Sequence, residues 1–435
     1  MAEDIQFEMI DVDLDVQEIL LTASQHDLAK LRQLIRANNV GAENPVNVKD
    51  PETGYTPLHA AIAACERDEG DESAQAAANR VNNNSNDDNA AKKEEEENPL
   101  AAARDTVKFL LQEGAIWNDL DNKNETPGCL ARRLGLTELY ELMVDAGVRA
   151  EMLLNYMEGY EKLEDDEGDD VEVIDADEVE KEETKETSDG PSTQEASTTT
   201  SEDTAAAAAA AAAAEPDVSN SRYLQSNLTF QNDRLLDDDQ NGVMMAWETD
   251  IMAKTARKLL PREGLRVLNI GHGMGIVDGF FQDQNPTAHH IVEAHAEVVA
   301  EMKRKGWHEK PGVVIHEGRW QDILPTLVEQ GIMFDAIYYD TFAESYAAFR
   351  EFMSEQVIGL LEPTGLWGFF NGMGADRQIS YDVYQKVMEM DVFEAGFDIE
   401  WEDIAVPQLE GEWSGVRRRY WVVDNYRLPV CKYMD

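Results

Sequence analysis

The chain has 435 residues, of which 43% are hydrophobic, and its formal net charge at pH 7 is −51. This length accommodates two or three domains with apolar cores, whereas the strongly negative charge argues against direct binding to nucleic acid or to an anionic membrane surface. The sequence has no apolar run long enough to span a bilayer, and its acidic start lacks the basic and apolar parts of a signal peptide.

The first predicted elements are helices between residues 16 and 65, where apolar residues recur at helical spacing. Residues 56–61 read T-P-L-H-A-A and resemble the T-P-L-H-x-A opening of an ankyrin repeat. Thr56 suits the N-cap of a helix, and Pro57 suits the first turn, where no amide hydrogen is needed. The sequence therefore predicts a helix that begins at Pro57.

A second, weaker copy of this motif lies at residues 126–131, which read T-P-G-C-L-A. Residues 107–111 fit the second helix of the unit before it. The insertion at residues 68–98 is rich in Asn and Glu, a composition typical of a disordered loop. We therefore predict an α-helical, ankyrin-like repeat module over residues 1–162. It either docks a protein or braces the next domain, since fewer than three clear repeats make a poor independent stack.

Residues 163–220 are predicted to be a disordered linker. They contain 20 Asp and Glu residues against two Lys, and residues 205–214 are ten consecutive alanines. Alanine favours helix, but so short an isolated helix is marginal in water. The segment is either a flexible acidic tether or a docking site for a basic partner.

Residues 221–435 are predicted to form an α/β domain. Apolar strands alternate with helices such as those predicted at 296–305 and 345–361. This alternation is typical of a parallel sheet covered by helices. The predicted strands are residues 266–270, 290–293, 313–316, 334–339 and 366–370, with a late edge strand at 419–423.

A glycine-rich loop follows the first of these strands and reads G-H-G-M-G from Gly271 to Gly275. Glycines allow a sharp turn and a close approach to a ligand. The second strand ends in Glu293, 22 residues after Gly271, where an acid can accept both ribose hydroxyls of a nucleoside. The spacing G-x-G-x-G, with Ile276 in place of a third dinucleotide glycine, favours S-adenosylmethionine over a dinucleotide. The alternative is a structural turn with an unrelated acid.

Further candidate residues follow the third and fourth strands. Trp320 and Gln321 are placed to enclose an adenine, although Trp320 also suits packing at a helix start. Asp340 is expected near the reactive end of the cofactor, where a carboxylate can orient a cationic nucleophile and take its proton. Glu248, at the start of a predicted helix over the site, is a candidate second carboxylate. A helix N-cap at Asp340 and a surface position for Glu248 are the alternatives.

Together these motifs carry a resemblance to a known family. V-L-N-I-G-H-G-M-G-I, H-I-V-E, G-R-W-Q-D and Y-Y-D-T-F, with W-E-T-D-I-M upstream, are similar to guanidinoacetate methyltransferase. The chain resembles still more closely the fungal type IV protein arginine methyltransferases, which also carry ankyrin-like repeats. The resemblance implies a class I, Rossmann-like methyltransferase domain that transfers a methyl group to the internal δ nitrogen of a protein arginine, with ribosomal proteins as the substrate class.

The resemblance also implies site residues. Glu248 and Asp340 match the two acids that grip the guanidino group. Tyr223 and Met252 are expected to close over the cofactor. The full set of cofactor-binding residues implied is Tyr223, Met252, Gly271, His272, Gly273, Met274, Gly275, Ile276, Glu293, Ala294, His295, Trp320, Gln321 and Asp340. The loops of terminal-nitrogen arginine methyltransferases are not visible in the sequence, which argues against dimethylarginine products.

The chemistry of the target agrees with this set. A guanidinium stays protonated at neutral pH and its nitrogens are poor nucleophiles, so two carboxylates that localise its charge would help. The sulfonium supplies the electrophile, and no metal is required. His289 and His290 alternate along a strand, and the three cysteines lie far apart, so neither a zinc site nor a disulfide framework is expected. Scarce cysteines favour a reducing, intracellular location. We expect the chain in the cytoplasm and the nucleus.

Three other functions remain open at this point: a small-molecule guanidino methyltransferase, a non-enzymatic ankyrin scaffold, and a terminal-nitrogen arginine methyltransferase. Residues 221–435 contain 20 basic and 35 acidic residues, which suits a basic, arginine-containing protein partner. No direct contact with nucleic acid or a membrane is expected, and the chain is expected to act as a monomer.

Overall fold

The structure, a computed structural model, describes residues 14–38, 44–66, 99–164, 218–231 and 233–434. The predicted insertion at 68–98 and most of the predicted linker lie outside these residues. The chain divides into two units, Met1–Met152 with Val218–Asp435 and Leu153–Asp217. Of the second unit, the described part is the end of one helix. Within the described residues, no helix combines the length and the apolar character that a membrane crossing requires.

The N-terminal part of the first unit is helical. Two of its helices begin with the same cap: the side chain of Thr56 accepts from the N–H of His59, and that of Thr126 from the N–H of Cys129, each followed by proline. The helices are α1 (Leu14–Ser24), α2 (Leu28–Asn38), α3 (Pro57–Ala63), α4 (Pro99–Gln112), α5 (Pro127–Arg133) and α6 (Thr137–Glu164). The helix start predicted at Pro57 is therefore confirmed.

His59 connects the two copies of the motif. Its Nδ1 lies 2.9 Å from the Thr56 hydroxyl, and its Nε2 lies 3.1 Å from the carbonyl oxygen of Glu125. A buried imidazole thus satisfies polar groups of both copies. The assignment of these helices to the ankyrin class stays a prediction.

The C-terminal part contains a seven-stranded sheet of order β6-β5-β4-β7-β8-β10-β9. The first five strands in this order are parallel, and β10 is antiparallel to both of its neighbours. The strands are β4 (Arg266–Ile270), β5 (Ala288–Glu293), β6 (Val313–Glu317), β7 (Phe334–Tyr339), β8 (Leu361–Phe369), β9 (Phe397–Ala405) and β10 (Asn425–Tyr433). The predicted parallel α/β sheet is confirmed, and the five predicted strands fall within or next to β4–β8.

The late edge strand predicted at residues 419–423 is wrong. The edge is β9, and residues 419–423 belong to an irregular segment between β9 and β10. Trp421 in this segment is buried, and its indole nitrogen donates to the Val423 carbonyl at 2.6 Å. The aromatic and β-branched residues that suggested a strand serve instead to anchor an extended loop.

Helices cover both faces of the sheet, and a small sheet precedes it. The small sheet contains β1 (Thr229–Phe230), β2 (Arg234–Leu236) and β3 (Gly242–Met245). The helices are α7 (Asn220–Tyr223), α8 (Thr249–Leu259), α9 (Ile276–Asp283), α10 (Ala296–Arg304), α11 (Trp320–Glu329), α12 (Tyr346–Glu351), α13 (Val357–Leu360) and α14 (Gln378–Glu394). A π-helical stretch, Phe352–Gln356, joins α12 to α13.

The N-terminal helices pack directly on α14. Ile379, Val383 and Val387 of α14 belong to the same buried apolar cluster as the N-terminal helices. A Cβ atom at Gly128 would lie 1.8 Å from Ile379 Cδ1, so the missing side chain permits this close approach. The Tyr140 hydroxyl donates to Asp382 at 2.5 Å. The N-terminal helices therefore share a hydrophobic core with the α/β part.

Candidate active site

The carboxyl ends of β4, β5 and β7 form a first cleft. Its wall includes Gly271, Gly273, Glu293, Ala294 and Asp340. In open α/β sheets ligands bind at this edge, and the order of strands reverses between β4 and β7 here. The sheet thus brings the glycine loop, the acid after β5 and the acid after β7 to one place.

The glycine loop has a strict need for glycine. Gly271, Gly273 and Gly275 have φ values of 92°, 53° and 79°. A Cβ at Gly271 would lie 1.8 Å from the Asp340 carbonyl oxygen, and one at Gly275 would lie 2.6 Å from the His272 ring. At Gly273 it would meet the Met244 side chain at 2.9 Å. Glycine was expected for the approach of a ligand, but in the structure it also lets protein atoms approach the loop.

Glu293 fixes the loop from the neighbouring strand. Its Oε2 accepts the backbone N–H of His272 at 2.8 Å, and its Oε1 accepts that of His295 at 2.7 Å. Glu293 is buried and lies in the wall of the first cleft. The carboxylate therefore orients two backbone segments while it faces the cleft.

A buried carboxylate supports the loop from below. Asp278 of α9 accepts from the rings of His272 and His289, at 2.6 and 2.8 Å, and from the Asn269 amide at 2.9 Å. Burial alone would raise the pKa of Asp278, but the two histidines hold it at about 2. The group is thus an anion directly beneath the glycine turn.

The other predicted cofactor residues fall into two groups. Tyr223 and Trp320 lie in the wall of the first cleft, as do Gly271, Gly273, Glu293, Ala294 and Asp340. The residues absent from that wall are Met252, His272, Met274, Gly275, Ile276, His295 and Gln321. Met252 belongs to α8 and is fully buried in the core, and its contact with the cofactor stays a prediction. The His295 ring packs on Tyr223 with centroids 4.9 Å apart, so it contacts a residue of the cleft wall.

A second cleft adjoins the first. Glu248 and Asp340 both line it, and Asp340 lines both clefts. Glu248 is 3% exposed, so it is not the surface acid that was the alternative at this position. Asp340 Oδ2 is buried and has no hydrogen-bond partner among the described residues. A buried carboxylate oxygen without a donor favours a cationic or N–H-bearing ligand.

Electrostatics set these two acids apart from surface carboxylates. Burial raises the pKa of Asp340 to about 7, with the negative charges of Asp278 and Glu293 contributing. Burial also raises the pKa of Glu248 well above its ordinary value, and the charge of Asp340 raises it further. Perturbed acids in one cleft are a frequent mark of a functional site. A cation between them would stabilise the ionised forms of both.

Several residues at the clefts were not found from the sequence. Glu344 lies in both walls and accepts from the Trp320 indole at 2.7 Å and from the Tyr339 hydroxyl at 2.5 Å. Ala343 before it has φ = 60°, a left-handed conformation that turns the chain at this point. Tyr420 lines the second cleft. Tyr420 was missed because its segment was predicted to be an edge strand. Glu344 could have been found from the sequence, because it follows Asp340 by only four residues.

The histidines of β5 occupy separate environments. His289 contacts Asp278 and Gln282, whereas the His290 ring lies 3.1 Å from that of His316. Within the part of the chain that the structure describes, no group of three or more His, Cys, Asp or Glu is arranged to hold a metal ion.

Comparison with known proteins identifies the family. A family model described as guanidinoacetate N-methyltransferase matches residues 220–416. Protein arginine N-methyltransferase 2 of Aspergillus fumigatus is 69% identical over 98% of this chain and 97% of its own, and the Neurospora crassa protein of that name is 43% identical over 97% and 96%. The O-methyltransferase TomG of Streptomyces achromogenes, solved in complex with SAM, covers 43% of this chain and 80% of its own at 16% identity, with a TM-score of 0.32 that is too low to bear on function. The chain therefore belongs to the protein arginine N-methyltransferase 2 family, whose members are S-adenosylmethionine-dependent methyltransferases.

Proposed function

We propose that this chain methylates the internal, δ nitrogen of an arginine in a basic protein, with S-adenosylmethionine as the methyl donor. The observation that carries the proposal is the position of Asp340, which lines both the cleft at the glycine loop and the cleft that contains Glu248. A donor in the first cleft and a guanidinium in the second would meet at this carboxylate.

The first cleft is lined by groups that suit the parts of the cofactor. Glu293 offers a buried carboxylate for ribose hydroxyls, Tyr223 and Trp320 offer aromatic faces, and Gly271 and Gly273 leave backbone exposed to the cleft. When bound, S-adenosylmethionine supplies an electrophilic methyl group on a sulfonium. These residues would hold its nucleoside at the carboxyl ends of β4 and β5.

The second cleft fits a guanidinium. Ionised Glu248 and Asp340 would pair with its N–H groups and draw positive charge away from one nitrogen, which becomes the nucleophile. As the C–N bond forms and the C–S bond breaks, that nitrogen must lose a proton. Asp340 is the base best suited to accept it, because its pKa of about 7 lies near the working pH. The apolar walls of Phe349, Phe369 and Met388 suit the aliphatic part of an arginine side chain.

Product analysis tests the proposal. The protein is incubated with S-adenosylmethionine and an arginine-rich peptide, and fragmentation mass spectrometry distinguishes δ-nitrogen methylarginine from terminal-nitrogen products. Guanidinoacetate is assayed in parallel, because the family model matched by residues 220–416 bears that substrate's name. Methylation of guanidinoacetate in preference to the peptide, or a terminal-nitrogen product, would replace the proposal by that rival. No cofactor binding in a calorimetric titration would favour a scaffold.

The negative charge of the chain indicates which class of protein could be its substrate. The second cleft presents Glu248, Asp340 and Glu344 in a chain of net charge −51. Such a concentration of acids favours a strongly basic protein as the substrate, and we propose the ribosomal proteins as its class. We propose that the reaction takes place in the cytoplasm and the nucleus. Labelled cofactor added to a ribosomal protein fraction, with recovery of label in a defined arginine, is the experiment that decides this.

We expect Glu293→Ala to weaken cofactor binding by about 1–3 kcal/mol, as for lost hydrogen bonds to a charged group. The substitution removes the acceptor of two backbone N–H groups as well as the proposed ribose contact. Isothermal titration calorimetry with S-adenosylmethionine measures the loss. Glu317→Ala is the matched control, since Glu317 is the partner of Glu293 on β6 and its side chain is 55% exposed. Full affinity in Glu293→Ala would contradict the ribose assignment.

We expect kcat/KM for the arginine substrate to fall as the pH drops through about 7. The pKa of Asp340 is raised to about 7, so its carboxyl is protonated and unable to hold the guanidinium or accept a proton below that pH. Glu248, whose pKa is also raised, steepens the acid limb. A pH profile of initial rates at subsaturating substrate measures this. If kcat/KM stays constant down to about pH 5, catalysis does not require a carboxylate whose pKa is raised above its ordinary value of ~4.

A further inference from the structure

The irregular segment between β9 and β10 places the Tyr420 side chain in the wall of the second cleft, where aromatic contacts surround it. Trp421 packs against Trp247 with ring centroids 5.5 Å apart, and Trp413 meets Tyr420 edge-on at 4.9 Å. The backbone N–H of Val422 donates to the Ala375 carbonyl at 2.9 Å. Trp421 and Val422, the two residues after Tyr420, are thus anchored, and the Tyr420 ring itself packs on Trp413.

The Tyr420 hydroxyl is directed at a substrate-gripping acid. It donates to Oε1 of Glu248, and Tyr420 lies in the same cleft wall as Glu248 and Asp340. Burial and the charge of Glu248 raise the pKa of Tyr420 well above its ordinary value, so it remains a donor at every pH relevant here. A neutral donor beside a buried carboxylate stabilises the ionised form and restricts its rotation.

We propose that Tyr420 is a positioning residue for methyl transfer, acting through Glu248: its hydroxyl fixes the plane of that carboxylate and keeps it ready to bind the guanidinium. This inference rests on the proposed function of Glu248 as a guanidino-gripping acid. It assigns the segment between β9 and β10 to the substrate half of the site, because Tyr420 is absent from the wall of the cofactor cleft.

The ionisable groups around Glu248 determine what loss of the hydroxyl would do. Asp340 and Tyr338 face it from β7 and the residue after it, Tyr426 from β10, and Tyr420 from the segment between β9 and β10. Glu344 lies in the same cleft wall. None of these groups carries a positive charge. Without the Tyr420 hydroxyl, Glu248 therefore loses a donor and faces only neutral or negative groups, so it retains its proton to higher pH.

The test is Tyr420→Phe, which keeps the ring and removes the hydroxyl. We expect KM for an arginine-rich peptide to rise about tenfold, as for one lost hydrogen bond to a charged group, and the acid limb of kcat/KM to move to higher pH. The dissociation constant of S-adenosylmethionine should be unchanged. Tyr433→Phe is the control, since the Tyr433 hydroxyl donates to the Leu361 carbonyl at 3.2 Å, away from both clefts. Equal KM and an equal pH profile in Tyr420→Phe and the parent would overturn the proposal.

A double-mutant cycle separates action through Glu248 from a general effect of the ring. In the Glu248→Gln background, Tyr420→Phe should have little further effect, and additive losses would contradict the proposal. Replacing Tyr420 by 3-fluorotyrosine keeps the fold and strengthens the donor, so the acid limb should move to lower pH. If the parent protein neither binds nor methylates the peptide, the proposed function itself is contradicted. If the parent is active and the Tyr420 variants behave like it, only the role of Tyr420 is contradicted.

Discussion

Asp340→Asn is expected to reduce kcat for arginine methylation by about 10²–10⁴-fold, the range associated with loss of a positioned general base. Asparagine occupies nearly the same volume but carries no charge and cannot accept the proton released when the C–N bond forms. Because Asp340 lines both clefts, the substitution affects the point where donor and acceptor would meet. Rates at saturating cofactor and peptide measure the loss, and an unchanged kcat would reject the assignment.

The same variant should be more stable than the parent at about pH 8. A carboxyl whose pKa is raised from 3.8 in the unfolded chain to about 7 in the fold opposes folding once the pH exceeds the lower value, and this penalty is complete above the higher one. Asparagine has no such penalty, so the melting temperature of Asp340→Asn should exceed that of the parent at about pH 8 and match it below about pH 4. A variant that is inactive and less stable at about pH 8 would point to a damaged fold instead.

The sequence was informative where function follows directly from position along the chain. A strand followed by a glycine loop, an acid 22 residues later and an acid after β7 are local features, and the sheet brings them together. Glu248 was a candidate second carboxylate from its place at the start of a helix, but its role as a guanidino-gripping acid came from the family resemblance, because nothing local in W-E-T shows which cleft the side chain enters.

The residues that sequence reasoning missed are those positioned by tertiary contacts. Tyr420 reaches the second cleft because Trp413 and Trp421 anchor its segment. The aromatic and β-branched residues of that segment are also typical of a strand, so the sequence pattern alone does not distinguish the two structures. Met252 was placed at the cofactor by resemblance; in the structure this residue of α8 packs in the core, and its contact with the cofactor stays a prediction.

Val383→Asp is expected to destabilise the whole first unit by about 4 kcal/mol or more, because it buries an unpaired charge between α14 and the N-terminal helices. Val383 is fully buried in the cluster that those helices share with α14. The site should suffer as well, since Met388 of the same helix lines the second cleft and Gln385 bonds to Asn371 at 2.9 Å. Urea unfolding followed by tryptophan fluorescence measures the loss.

Val314→Asp is the control. Val314 is 42% exposed on the edge strand β6, so this substitution should reduce the free energy of unfolding far less.

A second comparison removes the N-terminal helices entirely. Residues 218–435 alone would expose Ile379, Val383 and Val387 together, and we expect this fragment to aggregate, as an uncovered apolar face does. If the fragment instead folds and methylates arginine with the activity of the full chain, the N-terminal helices are a separable docking module. If the fragment does not fold or is inactive, the N-terminal helices complete the catalytic core. Such a role would account for Gly128 and Gly147, where a side chain would collide with Ile379 and Val383 of α14.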